Sequence, residues 1–214
     1  MNLPDQNKLG SVGRPYPGVE VKIAEDGEIL QRGRHIMRGY YNLPEATAEA
    51  IDKDGWYHTG DIGELDADGY ISITDRKKDL IKTSGGKYIA PQALEGALKT
   101  ASELISQVVV IGDRRKYVSV LVTVVEQEAI KLTGAPSYAE ATRSPTLRQR
   151  VQEAIDKVNA TVPSYETIKR FFVLERDFSQ ETGEMTPTLK VKRKVASTKF
   201  KKEIDSMYDE ATIE

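Results

Sequence analysis

The sequence predicts an α+β fold, a small β-rich part followed by a larger mixed part, and three observations carry the prediction. From Gly10 to Asp75 the chain is densely punctuated by Gly and Pro and the runs between are short, as in strands joined by tight turns. After Asp79 the units lengthen, and helical periods alternate with apolar strand-like runs. The 214 residues are 39% hydrophobic, enough to bury a core in one large domain or two small ones.

In chain order, "VEVKIA" (Val19 to Ala24), "EILQRG" (Glu28 to Gly33), "DIGEL" and "YISIT" are expected as strands. "PEATAEAI" (Pro44 to Ile51) interrupts them as a helix, with proline in the first turn, where a missing N–H is harmless. "PQALEGALKTA" (Pro91 to Ala101) predicts a helix, and "ISQVVVIGD" and "YVSVLVTVVE" two central strands. Ser144 to Val162 predicts an amphipathic helix with a serine cap before Pro145. "IKRFFVLE" follows as a strand, then the loop "SQETGEMTPTLK", then a final helix over Val195 to Tyr208. The expected organisation is a β-rich subdomain over 1–75, a connecting segment at 76–79 inside "DRKKD", and an α+β domain over 80–214.

Charge and composition exclude several functions. Thirty-one basic against 33 acidic residues leave a net charge of -2, so no global field recruits nucleic acid or anionic lipid. Without cysteine there is neither a disulfide framework nor a thiolate nucleophile, and two isolated histidines, His35 and His58, cannot make a structural zinc site. The start lacks the blocks of a signal peptide, and no apolar run approaches the ~20 residues of a membrane helix. A cytoplasmic protein is expected, with peripheral membrane contact left open.

Several local patterns could carry chemistry, and each also has an ordinary structural explanation. "DADG" (Asp66 to Gly69) opens like a calcium loop but lacks its later glutamate, so it is expected as the turn between two strands. "TSGGK" (Thr83 to Lys87) has paired glycines that expose N–H groups, but a Walker loop would need Gly at Ile81 and Ser or Thr at Tyr88; a strand-joining turn explains it as well. Lys190 to Lys202 carries seven basic residues and no acidic one, either a binding patch or a solvated helix face. Asp61, after Thr59 and Gly60, could accept two hydrogen bonds from a vicinal diol such as ribose, or cap a turn.

Taken together, "GSVGRPYPGVEVKI", "GEILQRGRHIMRGYYNLPEATAEAI", "DGWYHTGDIGELDADGYISITDRKKDLIKTSGGKYIAP" and "TPTLKVKRK" resemble the adenylate-forming superfamily of acyl-CoA synthetases, adenylation domains and luciferases. Their order and spacing resemble the long-chain fatty-acyl-CoA synthetase branch, where "TPTLKVKRK" stands in place of the Gly-Lys pair of other branches. The resemblance implies a β-rich subdomain ahead of a mobile C-terminal lid of the adenylate-forming enzyme fold. It implies ATP, coenzyme A and Mg²⁺ as cofactors and a fatty acid as substrate, with no nucleic-acid partner.

By the same resemblance Asp61 holds the ribose hydroxyls of ATP, Arg76 reaches the nucleotide and Lys78 is the hinge. Lys190 is the catalytic lysine of adenylation, with Lys192 and Lys194 near the same register. Gly85 and Gly86 leave space for the pantetheine arm and Lys82 matches a lysine used in the thioester-forming conformation. Either Lys87 or Tyr88 meets the nucleotide phosphate, an extra residue near Gly86 leaving both open. No metal ligand is assigned to this chain: the phosphate-gripping loop, the magnesium glutamate and the acyl-binding region belong upstream of "GSVGRP". The chain is therefore expected to be the C-terminal portion of a long-chain fatty acid-CoA ligase, inactive alone. A stand-alone interaction module using the basic tail is the alternative from another class, and an adenylation domain of other acyl or aminoacyl specificity the alternative within it.

Overall fold

In the structure, a computed structural model that describes residues 1–209, the chain forms two compact units, Met1–Leu80 and Ile81–Glu214.

The first unit is a four-stranded antiparallel sheet in the order β1-β2-β3-β4, made of β1 (Glu20–Ile23), β2 (Glu28–Arg32), β3 (Tyr57–Leu65) and β4 (Ile71–Arg76). Helix α1 (Pro44–Ala50) has proline in its first turn, as the sequence predicts. Strand β3 extends four residues ahead of the expected "DIGEL" because Tyr57 and His58 pair with Gln31 and Leu30 of β2. Asp66 makes the turn between β3 and β4, its Oδ1 accepting the backbone N–H groups of Asp68 and Tyr70, each at 2.9 Å. A short 3-10 turn over Lys77–Asp79 ends the unit.

The second unit begins with a two-stranded hairpin, β5 (Ile81–Lys82) and β6 (Tyr88–Ile89), and helix α2 (Pro91–Ala101). Its central sheet has the order β7 (Ile105–Ile111), β8 (Val118–Val124), β9 (Ile168–Val173), with β7 antiparallel and β9 parallel to β8. A parallel pair needs a long crossover. Helices α3 (Glu126–Thr133), α4 (Tyr138–Arg143) and α5 (Pro145–Asn159) provide it.

Every residue of β8 is buried, and the side chains alternate between two cores. Val118, Val120, Val122 and Val124 join Leu94, Leu98, Leu147, Val151 and Ile155 from α2 and α5. Leu121 joins Val109, Leu174, Phe178, Met185, Ala196 and Ile204 on the other face, with helices α6 (Arg193–Lys199) and α7 (Lys201–Ser206). Each fully buried aliphatic side chain contributes about 1.5–3 kcal/mol, so a strand with four valines on one face and Leu121 between Ser119 and Thr123 on the other anchors whatever its ends carry.

Three expected elements differ in detail. The final helix expected over Val195 to Tyr208 is two helices with a break at Phe200 (φ -102°, ψ 30°), whose ring packs against Phe178 at a centroid distance of 5.8 Å. Helix α5 stops at Asn159, short of Val162, where the Asn159 amide exchanges two hydrogen bonds with the backbone of Ile168 and fastens the helix end to β9. Ser144 makes no side-chain capping bond; Ser137, ahead of α4, does, accepting the Glu140 N–H. Among the described residues no helix is long and apolar enough to cross a membrane.

Candidate functional site

The predicted site residues fall into three local groups. In the first unit Asp61 and Arg76 are register partners across β3 and β4. Arg76 Nε lies 2.7 Å from Asp61 Oδ1, with the aspartate side chain 21% and the arginine 55% exposed. The contact is one of charge rather than of an aimed N–H, for Oδ1 is shut off from water and no donor is aligned on it. The Asp61 backbone is held by its own neighbour: its N–H donates to Thr59 Oγ1 at 3.1 Å, and that hydroxyl donates to the Ile29 carbonyl at 2.7 Å. Lys78 is exposed in the 3-10 turn that follows Arg76.

In the second unit Lys82, Gly85, Gly86, Lys87 and Tyr88 lie on the β5-β6 hairpin, whose strands are pinned to the core by buried Ile81 and Ile89. Its tip closes by Gly86 N–H to the Thr83 carbonyl at 2.9 Å and Thr83 N–H to the Lys87 carbonyl at 3.0 Å. The neighbouring β7-β8 turn braces it, Ser84 N–H donating to the Arg115 carbonyl and Arg114 N–H to the Lys82 carbonyl. The tip is exposed and cationic, with Lys82 Nζ 5.2 Å from the Tyr88 ring centre and Lys87 Nζ 5.6 Å from that of Tyr165. A side chain at Gly86 would meet no atom within 4 Å, and at Gly85 only Thr83 Oγ1 at 3.9 Å. Gly86 needs its left-handed φ of 77°, whereas Gly85 has neither a positive φ nor a crowding neighbour. Nothing within the unit requires glycine at 85.

Lys190 is exposed at the end of a tight turn. Thr186 N–H donates to the Lys190 carbonyl at 2.8 Å, Lys190 N–H to Thr186 Oγ1 at 3.0 Å, and Leu189 N–H to the Thr186 carbonyl at 2.9 Å. Leu189 is left-handed, φ 59°, and 64% exposed. The base of the turn is Glu184, fully buried, its carboxylate met by Arg176 Nη2 at 2.6 Å, Lys199 Nζ at 3.0 Å and the Thr182 hydroxyl. Its backbone carbonyl accepts the Lys192 N–H at 2.7 Å. Burial pushes the Glu184 carboxyl up, but the bonds from Arg176, Thr182 and Lys199 outweigh it and hold the group well below the usual carboxylate range.

Two residues central to these groups, Glu28 and Glu184, are not among those predicted. Glu28 opens a buried strand, a mismatch between charge and environment visible in "GEILQRG"; Glu184, inside a polar loop, carries no local signal. Among the described residues no three His, Cys, Asp or Glu side chains converge to hold a metal ion.

Residues 78–212 match the family described as the AMP-binding enzyme C-terminal domain. The chain is 42% identical over 209 residues to the long-chain-fatty-acid–CoA ligase FadD15 of Mycobacterium tuberculosis (strain ATCC 25618 / H37Rv), covering 94% of this chain and 34% of that protein. It is 38% identical over 237 residues to the long-chain-fatty-acid–CoA ligase ACSBG1 of Mus musculus, covering 98% and 33%. The chain thus spans about a third of the length of these curated relatives. Among solved structures it resembles the A domain of carboxylic acid reductase from Segniliparus rugosus, in complex with AMP and a co-purified carboxylic acid, with a TM-score of 0.68 at 25% identity over 91% of this chain and 32% of that one. With the family matched over more than half its length, this chain belongs to the AMP-binding enzyme C-terminal domain family.

Proposed function

We propose that this chain is the C-terminal part of an ATP-dependent long-chain fatty acid-CoA ligase, supplying one wall of the nucleotide site and a mobile domain that serves both half-reactions. The observation that carries the reading is the Asp61 carboxylate, 21% exposed and paired across the sheet with the half-exposed Arg76, in a chain whose relatives are named fatty-acid–CoA ligases.

A ribose presents two adjacent O–H donors, and a carboxylate takes both. Arg76, half exposed beside it, meets the charged end of the same nucleotide in this reading. In the first half-reaction a fatty carboxylate oxygen forms a bond to the α-phosphorus of ATP, the bridging P–O bond breaks and pyrophosphate leaves with the electron pair. Two anions must meet, so a cation at the reacting centre lowers the barrier. Lys190 is that cation in this reading, its backbone held by Thr186 and its ammonium exposed.

In the second half-reaction the sulfur of coenzyme A bonds to the acyl carbonyl carbon, the thiol proton is lost to a base, and the bond from that carbon to AMP breaks. Gly85 serves this step: a glycine that the unit itself does not need leaves room for the thin pantetheine arm. Lys82, and Lys87 or Tyr88, line the same hairpin tip for the nucleotide end. Lys78 is the pivot, since an exposed charged residue is solvated in either state of a turning joint. Magnesium, when bound, neutralises phosphate charge, and its ligands belong to the part of the ligase upstream of this chain.

The test replaces the matching C-terminal third of the FadD15 relative by this chain and measures fatty-acid-dependent exchange of pyrophosphate into ATP. Exchange and long-chain acyl-CoA formation are expected, and Lys190→Ala should lose exchange by about a hundredfold or more while still forming thioester from supplied acyl-adenylate. A folded chimera that forms no adenylate, together with salt-sensitive binding of the isolated chain to DNA or anionic vesicles, would replace this reading by the interaction module.

A further inference from the structure

The proposed chemistry uses Asp61, Arg76 and the joint after them, and gives no work to Glu28, a carboxylate in the first unit that is 2% exposed. An acid buried that deeply must be met by donors. Lys77 Nζ at 2.8 Å and His58 Nδ1 at 2.9 Å meet its Oε2, and the Gly60 N–H meets its Oε1 at 2.9 Å. Lys77 also reaches Asp26 Oδ2 at 2.7 Å. Burial pushes the Glu28 carboxyl up, and the bonds from Lys77, His58 and Gly60 outweigh it.

The positions of these donors along the chain are what matter. Gly60 precedes Asp61, and Lys77 follows Arg76, so one carboxylate grips the chain neighbour of each member of the Asp61–Arg76 pair. Gly60 has a φ of 71°, a conformation that L side chains rarely adopt, so the backbone is committed to presenting that N–H. The Lys77 ammonium, though its side chain is partly exposed, is tied to the sheet by Glu28 and Asp26, and Lys78 follows it in the 3-10 turn.

We propose that Glu28 is a positioning residue with two effects: through Gly60 it sets the Asp61 carboxylate for the ribose, and through Lys77 it ends the fixed part of the first unit, so that turning begins at Lys78 and no earlier. The inference rests on the ligase reading for the ribose and for the turning, but not for the anchoring of Lys77. Glu28→Gln is the discriminating change, because it keeps the size and one acceptor oxygen while its NH₂ can accept from neither Lys77 nor His58. Losing a hydrogen bond to a charged group is worth about a factor of ten in the opening equilibrium.

Two measurements test it. In the isolated 214-residue chain, amide hydrogen exchange across 76–80 should quicken about tenfold in Glu28→Gln, with the amides of β1, β2 and β4 up to Asp75 unchanged, and Lys77→Met should quicken the same amides. In the active chimera, Glu28→Gln should raise KM for ATP by more than it lowers kcat of adenylation. Native exchange across 76–80 together with a native KM for ATP overturns the proposal. If Glu28→Gln unfolds the sheet, seen as fast exchange throughout the first unit, Lys77→Met decides the anchoring, and native exchange there overturns it. A chimera carrying the unaltered chain that fails to adenylate overturns the ligase reading instead, while amide exchange in the isolated chain still decides the anchoring of Lys77.

Discussion

Each unit buries one glutamate among cations, and the two are wired differently. The donors on Glu28 come from 30, 32 and 49 residues away, carried in by β3 and by the segment after β4. Those on Glu184 come from 2, 8 and 15 residues away, so its clamp is nearly closed within one stretch of chain. The Asp61 group therefore exists only once the β2-β3-β4 register is correct, since a slip of one residue would turn Glu28 to the other face. The Lys190 turn is shaped by its own ring of contacts, and the sheet beneath it needs only to bury Met185 and Ala196. A loop built that way holds its shape without help from distant strands.

Removing each acid in turn is the strongest way to break this comparison. Glu184→Ala takes the shared acid from two cations at once, Arg176 and Lys199, and should lower the stability of the second unit by about 2–3 kcal/mol. Glu28→Ala should cost less, about 1–2 kcal/mol, because Lys77 keeps Asp26 and His58 can turn to water. Denaturant midpoints read separately for the two units check the order. Equal losses would mean that wiring distance does not matter.

Acid titration separates the same two groups. The folded Glu184 carboxyl lies below its ordinary 4.5, so the folded state binds fewer protons than the unfolded one. Its contribution is therefore complete above pH 4.5 and is lost as pH falls from there through the depressed folded value. Stability measured from about pH 7 to about pH 2 should fall below the ordinary carboxylate value in the native chain and fall less steeply in Glu184→Gln. An unchanged slope would remove Glu184 from the acid response.

Backbone strain offers a gentler comparison. In the first unit the left-handed non-glycine residue among those described is Asn42, φ 54°, a residue that tolerates that region. In the second they are Arg114, φ 56°, in the β7-β8 turn, and Leu189, φ 59°, an exposed aliphatic residue just before Lys190. Leu189→Gly removes a left-handed penalty of about 1–2 kcal/mol and adds unfolded-chain freedom of about 0.4–1 kcal/mol. A net gain of about 1 kcal/mol or less is expected from thermal unfolding, with a smaller change for Asn42→Gly. A loss at Leu189 would show that its side chain supports the turn.

What could be read in the sequence follows the same division between near and far. Short runs between turn residues expose the strands, "ISQVVVIGD" and "YVSVLVTVVE" are both expected as central though only the second is, and the resemblance carried by "TGD" with "DRKKD" points to Asp61 and Arg76, which the structure pairs across β3 and β4. Glu28 and Glu184 escaped because a glutamate reads as solvated until its cations are known, and those cations are brought by the fold. Phe200 breaks the expected last helix because its ring packs on Phe178, and nothing in a helical pattern announces a distant aromatic partner. Helices α3 and α4 leave little trace in the pattern because each is short and only one or two of its side chains are buried.

The smallest effect tests the one cap that the structure moves. Ser144 precedes Pro145 as a cap residue would, but proline has already removed one N–H from the first turn, and Ser144 also ends α4, its own N–H donating to the Ala141 carbonyl at 3.1 Å. Ser137 instead accepts the Glu140 N–H at 3.3 Å, a long bond at the weak end of capping strength. Ser137→Ala should therefore lower stability by about 0.5–1 kcal/mol, and Ser144→Ala by less than about 0.5 kcal/mol. Both changes lie in the crossover between β8 and β9, far in sequence from either buried glutamate, so neither should alter amide exchange at 76–80 or at 184–192. Should Ser144→Ala prove the costlier, the cap inferred from sequence would be right and the bond at Ser137 incidental.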